Sequence, residues 1–134
     1  MKKLTLGKLK AKAQKIFNKY IRLRDAKDNY FVCISCGQSK PLTQMQAGHY
    51  YAVKGYDSLR YNENNVNGEC AGCNCFDQSH LIGYTINLEK KIGKDALQDL
   101  HDQAMEYKKG FFKWDRFELE NIIVTYTAKI KELE

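Results

Sequence analysis

The sequence predicts an α+β fold, and three observations carry that expectation. Apolar residues recur at helical spacing near both ends of the chain, a short aromatic and β-branched run lies at 30–34, and four cysteines fall into two CxxC pairs. One proline and nine glycines in 134 residues leave long uninterrupted stretches that suit helices. An apolar fraction of 43% supports a modest core, and a charged fraction of 28% is ordinary for a folded chain. The length fits one domain. It divides into a basic N-terminal helix (1–29), a metal-stabilised centre (30–93) and a helical extension (94–134).

Leu9, Ala13, Ile16, Phe17 and Tyr20 share one face of a first helix, which DAKDN (25–29) ends. YFVCI (30–34) reads as a strand leading into CISCG, where Gly37 suits a tight turn. Residues 42–52 read as a second strand with His49 near its end. Residues 54–69 contain Gly55, Asp57, Asn62, Asn64, Asn65, Asn67 and Gly68, a density of turn formers that predicts a loop. A helix is expected from Cys70–Asn74 to Lys91, with Leu81, Thr85, Leu88 and Ile92 on one face and Gly93 as its stop. Asp95 to Lys109 predicts another helix, ended by Gly110. Asp115-x-x-Glu118 resembles a capping box opening a last helix, whose stripe is Leu119, Ile122, Ile123, Tyr126, Ile130 and Leu133. That stripe either joins two copies of the chain or packs on the chain's own core.

The net charge is +6, and its placement is more telling than its size. Residues 1–24 carry nine Lys/Arg and no acid, while the remainder carries thirteen basic and sixteen acidic groups. Lys8, Lys12, Lys15, Lys19, Arg22 and Arg24 on the first helix, with Lys54 and Arg60 in the loop, are candidate contacts to a polyanion such as DNA. A solvated helix face accounts for the same pattern without a partner. There is no run of about 18 apolar residues, so no membrane span is expected. MKKLTLGKLKAKAQ lacks the apolar centre of a signal peptide, which places the chain in the cytoplasm as an expectation.

Cys33, Cys36, Cys70 and Cys73 form two CxxC pairs separated by 33 residues. Four thiolates satisfy tetrahedral zinc and leave no open position for a substrate, so the expected role is structural. Two pairs argue against a thioredoxin-type redox motif. Asn74, where a CxxCH haem motif has histidine, argues against haem. Cys75, the odd cysteine, is expected to be a small buried residue.

His49, Asn65 and Asn74 follow one another around the second knuckle. An imidazole can take a proton from water near neutral pH. An amide oxygen from Asn74, together with phosphate oxygens, suits a hard cation such as Mg²⁺. Asn65 would tie down the loop after His49, a role that Asn also plays in loops without catalysis. Asn74 would equally serve as a helix cap. His80 and His101 read as ordinary helix residues, with His80 in reserve.

The order His49, Asn65, Asn74 resembles the ββα-metal (HNH-type) nucleases, as an H-N-N variant. The CxxC-Asn junction with an upstream CxxC resembles the endonuclease VII type of junction resolvase. YIRLRDA (20–26), CISCG (33–37), QAGHY (46–50), LRYNENNVNGEC (59–70) and the CN closing the second knuckle resemble the NinG (Rap) family of lambda-like phage recombination nucleases. The resemblance covers roughly residues 8–93. It implies a ββα-metal core and a Mg²⁺- or Mn²⁺-dependent DNA endonuclease selective for branched DNA. It also implies 5′-phosphate and 3′-hydroxyl ends and the host cytoplasm as location. Symmetric cutting of a junction makes a homodimer the simplest assembly. One position departs: many HNH-type sites have Asp before the base His, and here it is Gly48. Asn74 then ligates alone, as in His-Cys box homing endonucleases, or a carboxylate such as Asp77 or Glu69 joins it. The rival expectation is a non-catalytic, zinc-stabilised nucleic-acid-binding protein, which Gly48 favours.

Overall fold

The computed structural model describes residues 3–75 and 79–134. Helix α1 (Leu6–Asp25) opens at Thr5, whose hydroxyl accepts from the Lys8 amide and satisfies one of the donors left free at a helix start. Leu9, Ala13, Phe17 and Ile21, four positions apart, form its buried stripe. The last helix of the chain, α5 (Arg116–Leu133), lies along that stripe with Leu119 and Tyr126. The Phe17 and Tyr126 rings meet edge to face at 4.7 Å. The capping box at Asp115 and Glu118 is present in both directions. The C-terminal stripe therefore packs on the chain's own core, except that Leu133 is exposed. Tyr20, Tyr126 and Lys129 all converge on Glu63, pinning the long loop to this helix pair.

Two small antiparallel sheets follow α1. β1 (Ala26–Lys27), β2 (Tyr30–Val32) and β3 (Ser39–Pro41) pair in that order, with Asp28 at φ 58° in the turn between the first two. β1 and β3 are too short to leave a periodic signal in the sequence. The expected strand at 42–52 is shorter than predicted: Leu42–Gln44 is a 3-10 turn, and only Met45–His49 forms β4. Asn65 ends it, because its side chain takes both the Tyr51 amide and the Tyr51 carbonyl. The loop expected to reach residue 69 ends earlier, since Val66–Cys70 is strand β5. Asn67 and Glu69 look like loop residues in sequence, yet they are buried with side-chain partners, which is what lets polar residues sit in a strand.

Among the described residues β4 and β5 form a two-stranded sheet, in the register Gln46↔Glu69, Gly48↔Asn67 and His49↔Val66. The single helix expected from Cys70 to Lys91 is two among the described residues, α2 (Ala71–Cys75) and α3 (His80–Ile92), with Ser79 in a turn. α4 (Lys94–Lys109) follows directly after Gly93. The buried face of α3 is Tyr84 and Leu88, which pack with Leu97, Leu100 and Ala104 of α4. Leu81 is not on that face and is 43% exposed. Tyr84, one turn before Leu88, takes the inward position because its hydroxyl donates to the Gly48 carbonyl at 2.7 Å.

The β4–β5 hairpin thus lies between two helix pairs. Strand alternation sends Ala47, His49 and Val66 toward α1 and α5, and Gln46, Gly48, Asn67 and Glu69 toward α3. α3 approaches the first cysteine knuckle so closely that a Cβ on Gly83 would sit 1.9 Å from the Ser35 carbonyl oxygen. Gly83→Ala is therefore expected to lower stability by about 1–3 kcal/mol, outweighing a helix-propensity gain of about 1 kcal/mol. Urea unfolding measures this, and a more stable variant would show that the helix and knuckle stand further apart.

Candidate metal centre and active site

The two knuckles meet at the base of the hairpin. Cys33 and Cys36 follow β2, Cys70 ends β5, and Cys73 lies on α2. All four sulfurs lie within 4.8 Å of one another. Tetrahedral zinc with Zn–S bonds near 2.3 Å asks for sulfurs about 3.8 Å apart, so the cluster fits with little movement. The Cys70 and Cys36 amides point at Cys33 Sγ at 3.3 and 3.5 Å, donors suited to a thiolate. Burial pushes the Cys33 and Cys73 thiols up, so gathering four thiolates here calls for a cation. The four cysteines can hold a metal such as zinc. Cys75 does not join them, and contrary to expectation it is exposed, with its sulfur 3.4 Å from Gln46 Oε1. Two residues along a helix turn a side chain by about 200°, so Cys75 cannot share the inward face of Cys73.

His49 stands at the end of β4, half-buried, with Nε2 3.1 Å from the Arg60 carbonyl oxygen. A carbonyl only accepts, so Nε2 carries the proton in the neutral ring and Nδ1 keeps its lone pair. Burial pulls the His49 pKa below its ordinary value. The Arg60 carbonyl opposes that and the Arg60 charge adds to it. Gln14 of α1 donates to the same carbonyl and helps fix it.

Asn65 is fully buried and organises the loop that carries Arg60. Its Oδ1 accepts from the Tyr51 amide at 2.8 Å, and its Nδ2 reaches the Tyr51 and Leu59 carbonyls at 3.1 Å. Asn74 is exposed on α2, and its Nδ2 donates to Gln46 Oε1 at 2.6 Å. Asn74 and His49 are not brought into contact. Through Gln46, Asn74 belongs to the α3 face of the hairpin, whereas alternation turns His49 to the α1 face.

The α3 face also holds groups that sequence reasoning passed over or kept in reserve. Glu69 is 0% exposed, and it accepts from the Ser35 hydroxyl and meets His80 Nδ1 at 2.6 Å. A Cβ on Gly48 would lie 2.1 Å from Glu69 Oε1, so the missing side chain at position 48 is what makes room for this carboxylate. Once β5 is known to begin at Val66, the register of the hairpin pairs Gln46 with Glu69 and Gly48 with Asn67. The turn-rich composition of 62–68 hid that signal. Asp77 lies outside the described residues.

The candidate polyanion contacts divide into two groups. Lys8, Lys12, Lys15 and Arg22 on α1 and Lys54 in the loop are exposed. Lys19 is exposed too but reaches Glu134 at 3.1 Å. Arg24 and Arg60 are already engaged. Arg24 binds Asp25, the Glu63 and Val66 carbonyls and Asn67, while Arg60 pairs with Asp57 at 2.7 Å. Sequence position does not separate lysines that face water from arginines that fasten α1 and the loop to the hairpin.

Fold and site together define a mixed α+β protein with a four-cysteine cluster able to hold a metal such as zinc. The chain belongs to the NinG family, since the family model described as bacteriophage lambda NinG protein matches residues 1–134. It is 31% identical over 121 residues to protein ninG of Escherichia phage lambda, an overlap covering 90% of this chain and 55% of the relative. The same identity and coverage hold for protein ninG of Salmonella phage P22, and protein ninG of Escherichia phage 933W matches at 31% as well. The chain thus spans little more than half the length of these curated relatives. No solved structure matches it. Among the described residues no helix is long and apolar enough to cross a membrane.

Proposed function

We propose that the chain is a metal-dependent DNA endonuclease acting on branched DNA in phage recombination, with β4, β5 and α2 as a ββα-metal unit. Zinc on Cys33, Cys36, Cys70 and Cys73 is structural and fixes where α2 leaves β5. The observation that carries the reading is the Arg60 carbonyl on His49 Nε2, which leaves Nδ1 as an oriented proton acceptor at the end of a strand.

His49 Nδ1 would take a proton from a water whose oxygen forms the new bond to phosphorus, while the bond to the 3′-oxygen breaks and that oxygen leaves with the electron pair and takes a proton from solvent water. Asn65 holds the loop that supplies the Arg60 carbonyl, and so holds the imidazole. Asn74 presents an amide oxygen to a divalent cation, Mg²⁺ or Mn²⁺. That ion when bound supplies charge neutralisation at the phosphate and leaving oxygen. The scissile phosphate would have to reach both His49 and Asn74 around the edge of β4, since the two side chains lie on opposite faces of the hairpin. Lys8, Lys12, Lys15, Arg22 and Lys54 give sequence-independent attraction to the backbone that weakens with salt. A homodimer lets two sites cut a junction symmetrically.

Gly48 favours a second reading, a zinc-stabilised DNA-binding protein without activity, because it removes the carboxylate that precedes the base in many such sites. The discriminating experiment is incubation of a labelled four-way junction and its linear duplex control with the zinc-loaded chain and Mn²⁺ or Mg²⁺. Retarded junction that is never nicked would leave the binding reading standing and end the nuclease one.

The pH profile adds a check. The His49 pKa lies below its ordinary value of about 6.5, so the base form persists to lower pH than for an exposed histidine. The acid limb of nicking is therefore expected to have its midpoint below about pH 6.5. An acid limb centred above that value would contradict the role given to the buried imidazole.

A further inference from the structure

On the α3 face of the hairpin, two helix side chains are each held at one end by a hydrogen bond. Asn74 gives Nδ2 to Gln46 Oε1, a bond that does not use its acceptor Oδ1. His80 meets Glu69 Oε2 through Nδ1, and a neutral imidazole donating through Nδ1 carries its lone pair on Nε2. Their two holders face each other directly across the strands, Gln46 opposite Glu69. Cβ atoms so paired stand about 4.5–5.5 Å apart, so the two holders share one small patch of the hairpin.

Glu69 itself is built in at a cost. It is completely buried beside Gly48, and among the described residues its Oε1 has no hydrogen-bond partner. A buried carboxylate on the far nitrogen of an imidazole is the arrangement that orients metal-ligating histidines and raises their basicity.

We infer that His80, positioned by Glu69, is the second protein ligand of the divalent cation that Asn74 binds. This rests on the cation-dependent nuclease reading above and names the ligand that Gly48 leaves open. Glu69 acts through His80 and is a positioning residue. A donor set of one imidazole nitrogen and one amide oxygen suits a first-row ion such as Mn²⁺ better than Mg²⁺.

The test is Mn²⁺ binding by the zinc-loaded full chain, followed by electron paramagnetic resonance of the free ion. Pulsed measurements on protein labelled with ¹⁵N-histidine give the second readout. Wild type is expected to show a histidine nitrogen coupled to Mn²⁺. His80→Ala should lose that coupling and bind at least about tenfold more weakly, and Glu69→Gln should weaken binding by a similar factor. If His80→Ala loses zinc or helix content, His80→Gln, closer in size, takes its place. Wild-type affinity and coupling in a folded His80 variant would overturn the inference alone, provided Asn74→Ala still weakens binding. No Mn²⁺ binding by wild type, with or without DNA, would overturn the cation reading and the inference together.

Discussion

His49→Ala is expected to lower nicking of a four-way junction by about 10²–10⁴-fold, the usual contribution of a positioned general base. Zinc content, helix content and junction affinity should stay near those of wild type. Among the described residues the ring makes one hydrogen bond, to the Arg60 carbonyl, and the cluster around α1 and α5 does not include it. His49→Gln should be as inactive, since an amide cannot take a proton. Residual cutting would come from cation and binding alone, so both variants are expected to lose the acid limb of the pH profile. A folded His49→Ala that cuts at the wild-type rate would remove His49 from the reaction.

Removing zinc is expected to have the largest effect on structure. The knuckle region has its own small core of Phe31, Cys33, Met45, Cys70 and Cys73, three of whose five members are cysteines. Little apolar mass remains there without the ion. Structural zinc contributes on the order of 10 kcal/mol, comparable to the whole stability of a domain at about 5–15 kcal/mol. A zinc-selective chelator, or Cys33→Ser, should therefore abolish cooperative thermal unfolding of the hairpin and α2. Metal analysis should find one zinc per wild-type chain. Cys75→Ser is expected to keep its zinc and its melting temperature, because Cys75 lies outside the cluster. Unchanged melting after verified zinc loss would show that the two helix clusters hold the hairpin unaided.

The long amphipathic helices were legible because their signals are local: α1 and α5 show helical spacing, and Asp115 and Glu118 mark a start. The cysteine centre was legible from spacing alone. β5 was not, since Asn67, Gly68 and Glu69 are turn-like or polar. Their strand role depends on partners distant in sequence, namely Tyr84, Asp25 and His80. The same non-locality hid the place of Glu69, which the sequence offered as a candidate carboxylate but did not put beside Gly48. In sequence Gly48 reads as a missing ligand, whereas across the hairpin it is the space that Glu69 fills. Arg24 shows a related ambiguity, because a cation that fastens a helix to a loop looks in sequence like one that awaits phosphate.

The most direct test of the nuclease reading is end analysis of a four-way junction labelled on each strand, after incubation with the zinc-loaded wild type and Mn²⁺. The expected result is nicks near the branch point that carry 5′-phosphate and 3′-hydroxyl ends, absent without the divalent ion and absent with His49→Ala. Uncut junction that is nonetheless bound in the presence of Mn²⁺ would contradict it.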